Sequence, residues 1–439
     1  MNRAVYLTFL YCLTFILLGG NVYSNQKNDT SATLYTLSDL CQIACESAEQ
    51  IKISENDFFI AQQDKKRALS VLMPRATAFG SYLSHNKPDQ FNPDVNSYGI
   101  KLNQTFTLNG KELIALHISE DTIDEKEFSL RAVKAEYLLL VAQAYYQILS
   151  TSRYVEIAET DVKRLEKHRH AVNERLKVGQ VTKTALFRAD AELSGARTSL
   201  IKSSNGLKLA KATLQRLVEI DENFDLSQAQ INKFKNFSYS YEELKKTALN
   251  RRAEILAAEK NLEIAKKNIK YTKGAYWPTL SVEGTYSNAE IEFDEPIHGT
   301  DDAEDSSINA TLTFTMFDGG LRAADVRQAL ANQRKAALAL TAEKKGIILE
   351  TKSVWLDYQT AISVLSTLKD ELKSARENFN AVTMQFKYGM ADSVDMMDAN
   401  TLLVKAQREL SDADYNCTLS VLGIMRTRGD IVSVLTGSH

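Results

Sequence analysis

Two stretches decide the fold: Leu176-Lys-Val-Gly179-Gln-Val-Thr-Lys-Thr-Ala-Leu186-Phe-Arg-Ala189-Asp-Ala-Glu-Leu193, and Phe386-Lys-Tyr-Gly389-Met-Ala-Asp-Ser-Val-Asp-Met396-Met-Asp-Ala399-Asn-Thr-Leu-Leu403. Their glycines, alanines, leucines and apolar positions coincide at an offset of 210 residues. Working outward, Asn109-Gly110 answers Asp318-Gly319 at 209, and Pro74-x5-Gly80-x-Tyr82 answers Pro278-x5-Gly284-x-Tyr286 at 204. The chain therefore reads as two tandem copies of one unit, and a repeat takes precedence over any other fold assignment.

Proline shows where long helices can run. The five prolines, Pro74, Pro88, Pro93, Pro278 and Pro296, fall in two clusters and leave 94–277 and 297–439 empty. A proline inside a helix costs about 3 kcal/mol, so these two deserts are open to unbroken helix. From Gly110 to Val178, and again from Gly320 to Tyr388, lie 69 residues of helix-forming sequence. Each would be about 100 Å long. Both end at the glycine of the repeated motif, a residue suited to a helix C-terminus or a sharp reversal. Return limbs over Thr182–Leu217 and Ser393–Arg428, and lead-in limbs over Leu37–Leu72 and Tyr241–Tyr276, complete each copy. Heptad-like small and apolar residues (Ala185, Ala189, Ala196; Leu403, Ala406, Leu410) suit close helix pairing.

The proline clusters flank strands. Leu280, Val282, Gly284 and Tyr286 alternate with polar partners over 279–287, and Ile308, Ala310, Leu312, Phe314 and Met316 do so over 307–317. In the first copy Tyr98, Ile100, Leu102, Gln104, Phe106 and Leu108 alternate with Gly99, Lys101, Asn103, Thr105, Thr107 and Asn109, with a weaker partner over 76–84. A period of two, one face apolar and one polar, in strands of about 9–11 residues is what a tilted membrane-spanning strand needs. Polar loops over 86–96 and 289–306 join the strands, the second with eight acidic residues and no Lys or Arg. Four strands cannot close a barrel, and an open edge in lipid leaves backbone groups unpaired at several kcal/mol each. Subunits must pool their strands, and three is the smallest set that gives a water-filled lumen.

Composition excludes other classes. The chain has 439 residues, 44% apolar and 25% charged, with a net charge of −3. It can bury a core, and it carries no basic excess to hold nucleic acid. Arg3, the apolar run from Ala4 to Leu18 and the small residues that follow read as a signal peptide over 1–24, cut after Ser24. Cys41 and Cys45, one helical turn apart, read as small buried side chains. No phosphate-cradling glycine loop, catalytic triad spacing or metal-ligand cluster stands in the sequence, so no catalytic residue, cofactor or metal site is expected. A secreted coiled-coil scaffold or adhesin would account for the helices alone, but not for the paired strands.

At this point the sequence resembles the TolC family of outer-membrane efflux ducts. The resemblance rests on Phe386-x-Tyr-Gly389-x5-Asp395-x-Met-Asp398-Ala399 with Leu403, Gln407, Leu410 and Tyr415, on Phe317-Asp318-Gly319-Gly320, and on Leu37-Ser-Asp-Leu. It implies an α+β membrane protein: a homotrimeric twelve-stranded β-barrel, four strands per subunit, continued by a long coiled-coil periplasmic tunnel. The expected division is 25–218 for the first repeat (hairpin about 75–108), 219–240 for an equatorial connector and 241–439 for the second repeat (hairpin about 279–317). The implied function is passive export of small molecules or polypeptides. Implied partners are a periplasmic adaptor (membrane fusion protein), an inner-membrane RND or ABC transporter, and outer-membrane lipid. By the same resemblance Asp395 and Asp398 would line a periplasmic constriction as two rings of carboxylates. Gly179, Lys183, Lys387 and Gly389 are expected to meet the adaptor at the tip, and Tyr82 and Tyr286 to stand in an aromatic girdle. Ala391 departs from the family, whose best-known members carry a latching arginine there; Arg175, Lys177, Lys183 and Lys387 are the candidate substitutes. His168 and His170, two apart on a helix, point to different sides.

Overall fold

The computed structural model describes residues 33–86, 94–221, 223–227, 240–293 and 299–437, so the expected signal peptide lies outside the described residues. Two helices of 67 residues dominate: α3 (Lys111–Lys177) and α7 (Leu321–Lys387), each about 100 Å long. Each turns back into a helix of 36 residues, α4 (Lys183–Val218) and α8 (Ser393–Arg428).

The lead-in limbs are each broken where one continuous helix was expected. α1 (Leu37–Ser47) gives way to α2 (Glu49–Val71) at Ala48, and α5 (Tyr241–Arg251) to α6 (Ala253–Lys273) at Arg252. Both breaks are single extended residues, φ −58° and ψ 124° at Ala48, φ −64° and ψ 125° at Arg252. α1 and α5 start alike. Thr36 and Asp39, and Ser240 and Glu243, cap each other reciprocally at the first turn. Caps and breaks recur at 204 residues, the offset of the prolines. The second break carries charge that the first lacks. Arg252, nearly fully buried, donates to Glu254 at 2.8 and 3.0 Å and to Glu350 at 3.2 Å, and Arg426 donates to Glu350 at 2.9 Å. Ala48 simply packs in the core.

That core gathers the middle of the helices. Leu37 and Leu40 of α1, Leu138 and Tyr145 of α3, Leu214 of α4 and Leu422 of α8 are buried together with Ile431 of α9 (Ile431–Thr436). Cys41 lies in this cluster and Cys417 is buried between α7 and α8, as small apolar side chains. Burial pushes the Cys41 thiol up to about 12. The short parallel pair β1 (Thr33–Tyr35) and β4 (Phe224–Leu226) closes one side. Below the core α3 packs on α4 and α8, and above it on α2 and α6.

At the far end β2 (Arg75–Leu83), β3 (Asp94–Thr107), β5 (Thr279–Phe293) and β6 (Gly299–Thr313) form one antiparallel sheet in the order β2-β3-β5-β6. Two expectations are corrected here. The acidic 289–306 stretch is largely strand: Ala289 pairs with Ala303, Glu290 with Asp302 and Phe293 with Gly299. Along β5 the alternation changes phase, with Ala289 and Ile291 on the face opposite Leu280 and Val282, and the backbone ladder continues through the change. The fourth strand ends at Thr313 and not at Phe317. Thr313 pairs with Thr279, and the next position on β5 is Pro278, which has no N–H to give.

Candidate functional site

The tip farthest from the sheet is built by two reversals of one design. At the end of α3 Gly179 (φ +74°) donates to Leu176 O at 3.0 Å and Gln180 to Arg175 O at 2.9 Å. At the end of α7 Gly389 (φ +77°) donates to Phe386 O at 3.1 Å and Met390 to Gln385 O at 2.8 Å. Both are Schellman caps, and the left-handed glycine is required because another residue there costs about 1–2 kcal/mol.

The helices leaving the reversals start differently. α8 opens on a capping box in which Asp392 Oδ1 accepts from Val394 N at 2.6 Å and Asp395 N at 3.0 Å, while Asp395 accepts from Asp392 N at 3.0 Å. Asp395 thus has a structural task that the sequence reading did not assign it. At the start of α4 Thr182 makes no such side-chain bond. Asp398, one turn further along α8, is exposed like Asp395. Carboxylates near a helix N-terminus face its positive pole.

Arg175 joins the two reversals. Its guanidinium donates to Phe386 O at 2.5 Å and Lys387 O at 3.2 Å, and lies 4.2 Å from the centre of the Phe386 ring. Those carbonyls belong to the last turn of α7, where helix geometry leaves acceptors unfilled and negative charge accumulates. Of the four candidate substitutes for the missing arginine, Arg175 is the one placed to bind across. Lys177 pairs with Glu174 of its own helix at 2.8 Å, and Lys183 and Lys387 are exposed. Ala391 packs against the apolar cluster of Val172, Ala189, Phe386 and Met396.

His168 faces the same cluster. It is 5% exposed, its Nε2 lies 2.9 Å from Ser393 Oγ, and its ring centroid is 5.0 Å from that of Phe386. Burial, helped by the Arg175 charge, lowers its pKa below the usual imidazole value. His170 is exposed. A histidine held neutral contributes stability that is full above the unfolded pKa, about 6.5, and is lost as pH falls through it, because the unfolded chain then takes up the extra proton. The protection factors of residues 386–396, each taken against the intrinsic exchange rate at that pH, should therefore fall between pH 7 and pH 5, and His168→Gln should flatten that dependence. An equal slope in both proteins would remove His168 from this role.

The reversals also expose an apolar surface that charge-based reading passed over: Val178, Tyr388 and Met390 are 69%, 71% and 73% exposed. Gly179, Lys183, Lys387 and Gly389 are exposed around them. Among the described residues no group of His, Cys, Asp and Glu is arranged to hold a metal, and no helix is long and apolar enough to cross a membrane.

On the sheet, Tyr82 and Tyr286 lie on the apolar face, and the register adds Tyr98 beside them: Tyr98 pairs with Gly80, Ile100 with Tyr286. All three are at least half exposed. Near the helical end of the sheet Trp277, Phe314 and Phe317 are also exposed.

Comparison with known proteins agrees with this geometry. The family model described as outer membrane efflux protein matches residues 61–218 and 244–429. The outer membrane protein TolC of Vibrio cholerae is 22% identical over 367 residues, 82% of this chain and 83% of that one. The outer membrane efflux protein BepC of Brucella suis is 23% identical over 419 residues, 94% and 89% of the two chains. The alkaline protease secretion protein AprF of Pseudomonas aeruginosa is 21% identical over 305 residues, 68% and 62%. Among solved structures, a membrane protein from Pseudomonas aeruginosa superposes with a TM-score of 0.80 at 19% identity, over 89% of this chain and 92% of that one.

Proposed function

The chain belongs to the outer membrane efflux protein family and is an outer-membrane efflux duct with its helices in the periplasm; we propose that it works as a homotrimer, passively, for a pump it does not itself contain. The observation that carries this is the joining of a four-stranded sheet, open at both edges, to two helices of 67 residues. β2 and β6 each leave one side of the backbone unpaired, which lipid does not tolerate, so β6 of one subunit meets β2 of the next and twelve strands close the barrel. The helices agree with this arrangement. Phe187, Ile201 and Leu209 of α4, and Leu338, Leu349 and Leu356 of α7, are exposed on helices at opposite margins of the subunit. Heptad-spaced leucines on one margin suit the apolar margin of a neighbour. The recurrence of caps, breaks and reversals supports two tandem repeats, 25–218 and 241–439 about a connector at 219–240.

In this arrangement the tunnel tapers to the reversals, and Asp395 and Asp398 form two rings of three carboxylates across it. Gly179, Gly389, Lys183 and Lys387, with the apolar Val178, Tyr388 and Met390, form the docking surface for a periplasmic adaptor, which couples the duct to an inner-membrane RND or ABC transporter. Tyr82, Tyr98 and Tyr286 mark the outer lipid interface. Relatives named for efflux and for protease secretion support both cargo classes, small molecules and polypeptides. In-cell photo-crosslinking from position 387 tests the coupling. The expected capture is an adaptor together with either a proton-driven pump or an ABC transporter, and the identity of the pump assigns the cargo. Capture of neither, from a protein that has reached the outer membrane, would overturn the coupled-duct reading.

A further inference from the structure

Where the return and lead-in limbs of the second repeat meet, the chain leaves a gap. α8 stops at the left-handed Gly429 (φ +79°), and α6 starts after the extended Arg252, so no continuous helix fills the space between them. A cavity of about 310 Å³ opens there, bounded by α3, the α5–α6 break, the end of α8 and the start of α9. Arg131, Lys134, Arg251, Arg252 and Arg426 line it, with Glu254 as the one carboxylate of the lining. The other lining residues are uncharged, most of them alanine or glycine. Some of these cations are fully partnered. Arg252 is held by Glu254 and Glu350, and Lys134 pairs with Glu55 at 2.7 Å. Others are not. Arg426 shares Glu350 with Arg252, and its Nε, closed off from solvent, finds no acceptor among the described residues. Arg251 reaches Asp430 only at 3.6 Å, and Asp430 is also taken by Arg428 at 2.8 Å. Among the described residues no carboxylate pairs with Arg131, whose guanidinium lies 5.8 Å from the centre of the Phe128 ring. With Arg428 included, six cations stand against the four carboxylates Glu55, Glu254, Glu350 and Asp430. The positive pole of α6 and the negative pole of α8 meet at the cavity and offset each other, so the side chains decide its sign.

We propose that this cavity is a binding site for a small polyanion. Arg131 and Arg251, both exposed, supply the free donors, and the more deeply buried Arg252 and Arg426 supply positive charge behind them. Guanidinium groups bind carboxylate and phosphate alike through paired N–H donors, so the ligand chemistry is two or more closely spaced anionic groups of either kind. Size narrows the class. A water molecule takes about 30 Å³, so the cavity has room for about ten of them. That exceeds what inorganic phosphate fills and suits an organic phosphate or a di- or tricarboxylate. The small lining residues leave this volume free; larger ones at positions 132, 135 and 253 would fill it. Every lining residue comes from one chain, so the site does not depend on the trimer. An anion held here joins α3 to the α5–α6 break and to the end of α8, and braces the junction at which the limbs of the second repeat meet.

Titration calorimetry on the full-length protein extracted in detergent tests this. Citrate and inorganic pyrophosphate are the probes, and sodium chloride at matched ionic strength is the control. The expected result is saturable binding of at least one probe, at one site per chain, that chloride does not reproduce. Whichever probe binds more tightly assigns the ligand to the carboxylate or the phosphate class. Arg131→Gln and Arg251→Gln, two exposed positions without a close ion pair, should each weaken binding about tenfold by removing a charge-assisted hydrogen bond. Arg131→Lys should recover only part of that loss, since one ammonium does not reproduce the fork. Lys202→Gln, at an exposed cation of α4, should change nothing. Amide exchange in the first turn of α6, residues 253–257, should slow when the probe binds. Absence of binding by both probes would overturn the site. Binding that survives in both Arg131→Gln and Arg251→Gln would also overturn it, because the anion would then sit elsewhere. Either failure leaves the export duct as proposed above.

Discussion

Replacing Asp395 and Asp398 together by asparagine is expected to weaken block of the reconstituted channel by multivalent cations by about 100-fold, and to raise its basal conductance to anions. Two rings of three carboxylates in a narrow aqueous passage favour cations strongly, and each ring's loss is worth about tenfold where charges interact at a few kcal/mol. Asparagine is the appropriate substitute at 395. It keeps an oxygen that can accept from Asp392 N, so the start of α8 survives, whereas alanine would also cost about 1 kcal/mol of cap. Asp398 makes the cleaner single test, because it takes no part in that cap. Titrating block with a trivalent ion in planar bilayers separates the outcomes. Unchanged block in Asp398→Asn would place this carboxylate on the outside of the tunnel.

The second large effect is expected at Arg175. Arg175→Met keeps much of the aliphatic bulk beside Phe386 but loses both hydrogen bonds to the last carbonyls of α7. Hydrogen bonds from a charged donor contribute about 1.5–3 kcal/mol, so the Phe386–Met390 reversal should open about 10- to 100-fold more often. Amide exchange of Gly389 and Met390, whose N–H groups are held by the reversal, reports this directly. If the reversals govern closure, channel openings in bilayers become more frequent as well. Arg175→Lys should recover little, because one ammonium does not reproduce the planar fork over the ring. Faster exchange without more openings would make Arg175 a purely structural cap.

The parts of this fold that the sequence makes visible are those fixed by local chemistry. Absent prolines and the terminal Gly179 and Gly389 give the lengths of α3 and α7 to within a residue or two at each end. Alternation gives the sheet its membrane portion for the same reason, since lipid imposes a period of two. What remains hidden depends on partners distant in sequence or on backbone. The breaks at Ala48 and Arg252 carry neither glycine nor proline. Arg252 is held extended by Glu254 beside it and Glu350 nearly a hundred residues away. Arg175 binds carbonyls, and a carbonyl has no letter in a sequence. The extended ends of β5 and β6 are concealed because the apolar positions change face beyond Tyr286 and β6 turns acidic there, while the backbone ladder runs on. At the tip, the spacing of Asp392, Asp395 and Asp398 was visible, but two of the three also close a cap, a task that spacing alone does not distinguish from lining a pore.

The central claim is that three of these chains join to make one duct through the outer membrane. Native mass spectrometry of the protein extracted from outer-membrane vesicles addresses it most directly. The account predicts a complex of three identical chains that holds together in detergent without a partner protein. A monomer, or a chain recovered from the soluble fraction and missing from the outer membrane, would contradict it, because a four-stranded sheet with two open edges has no stable place in lipid.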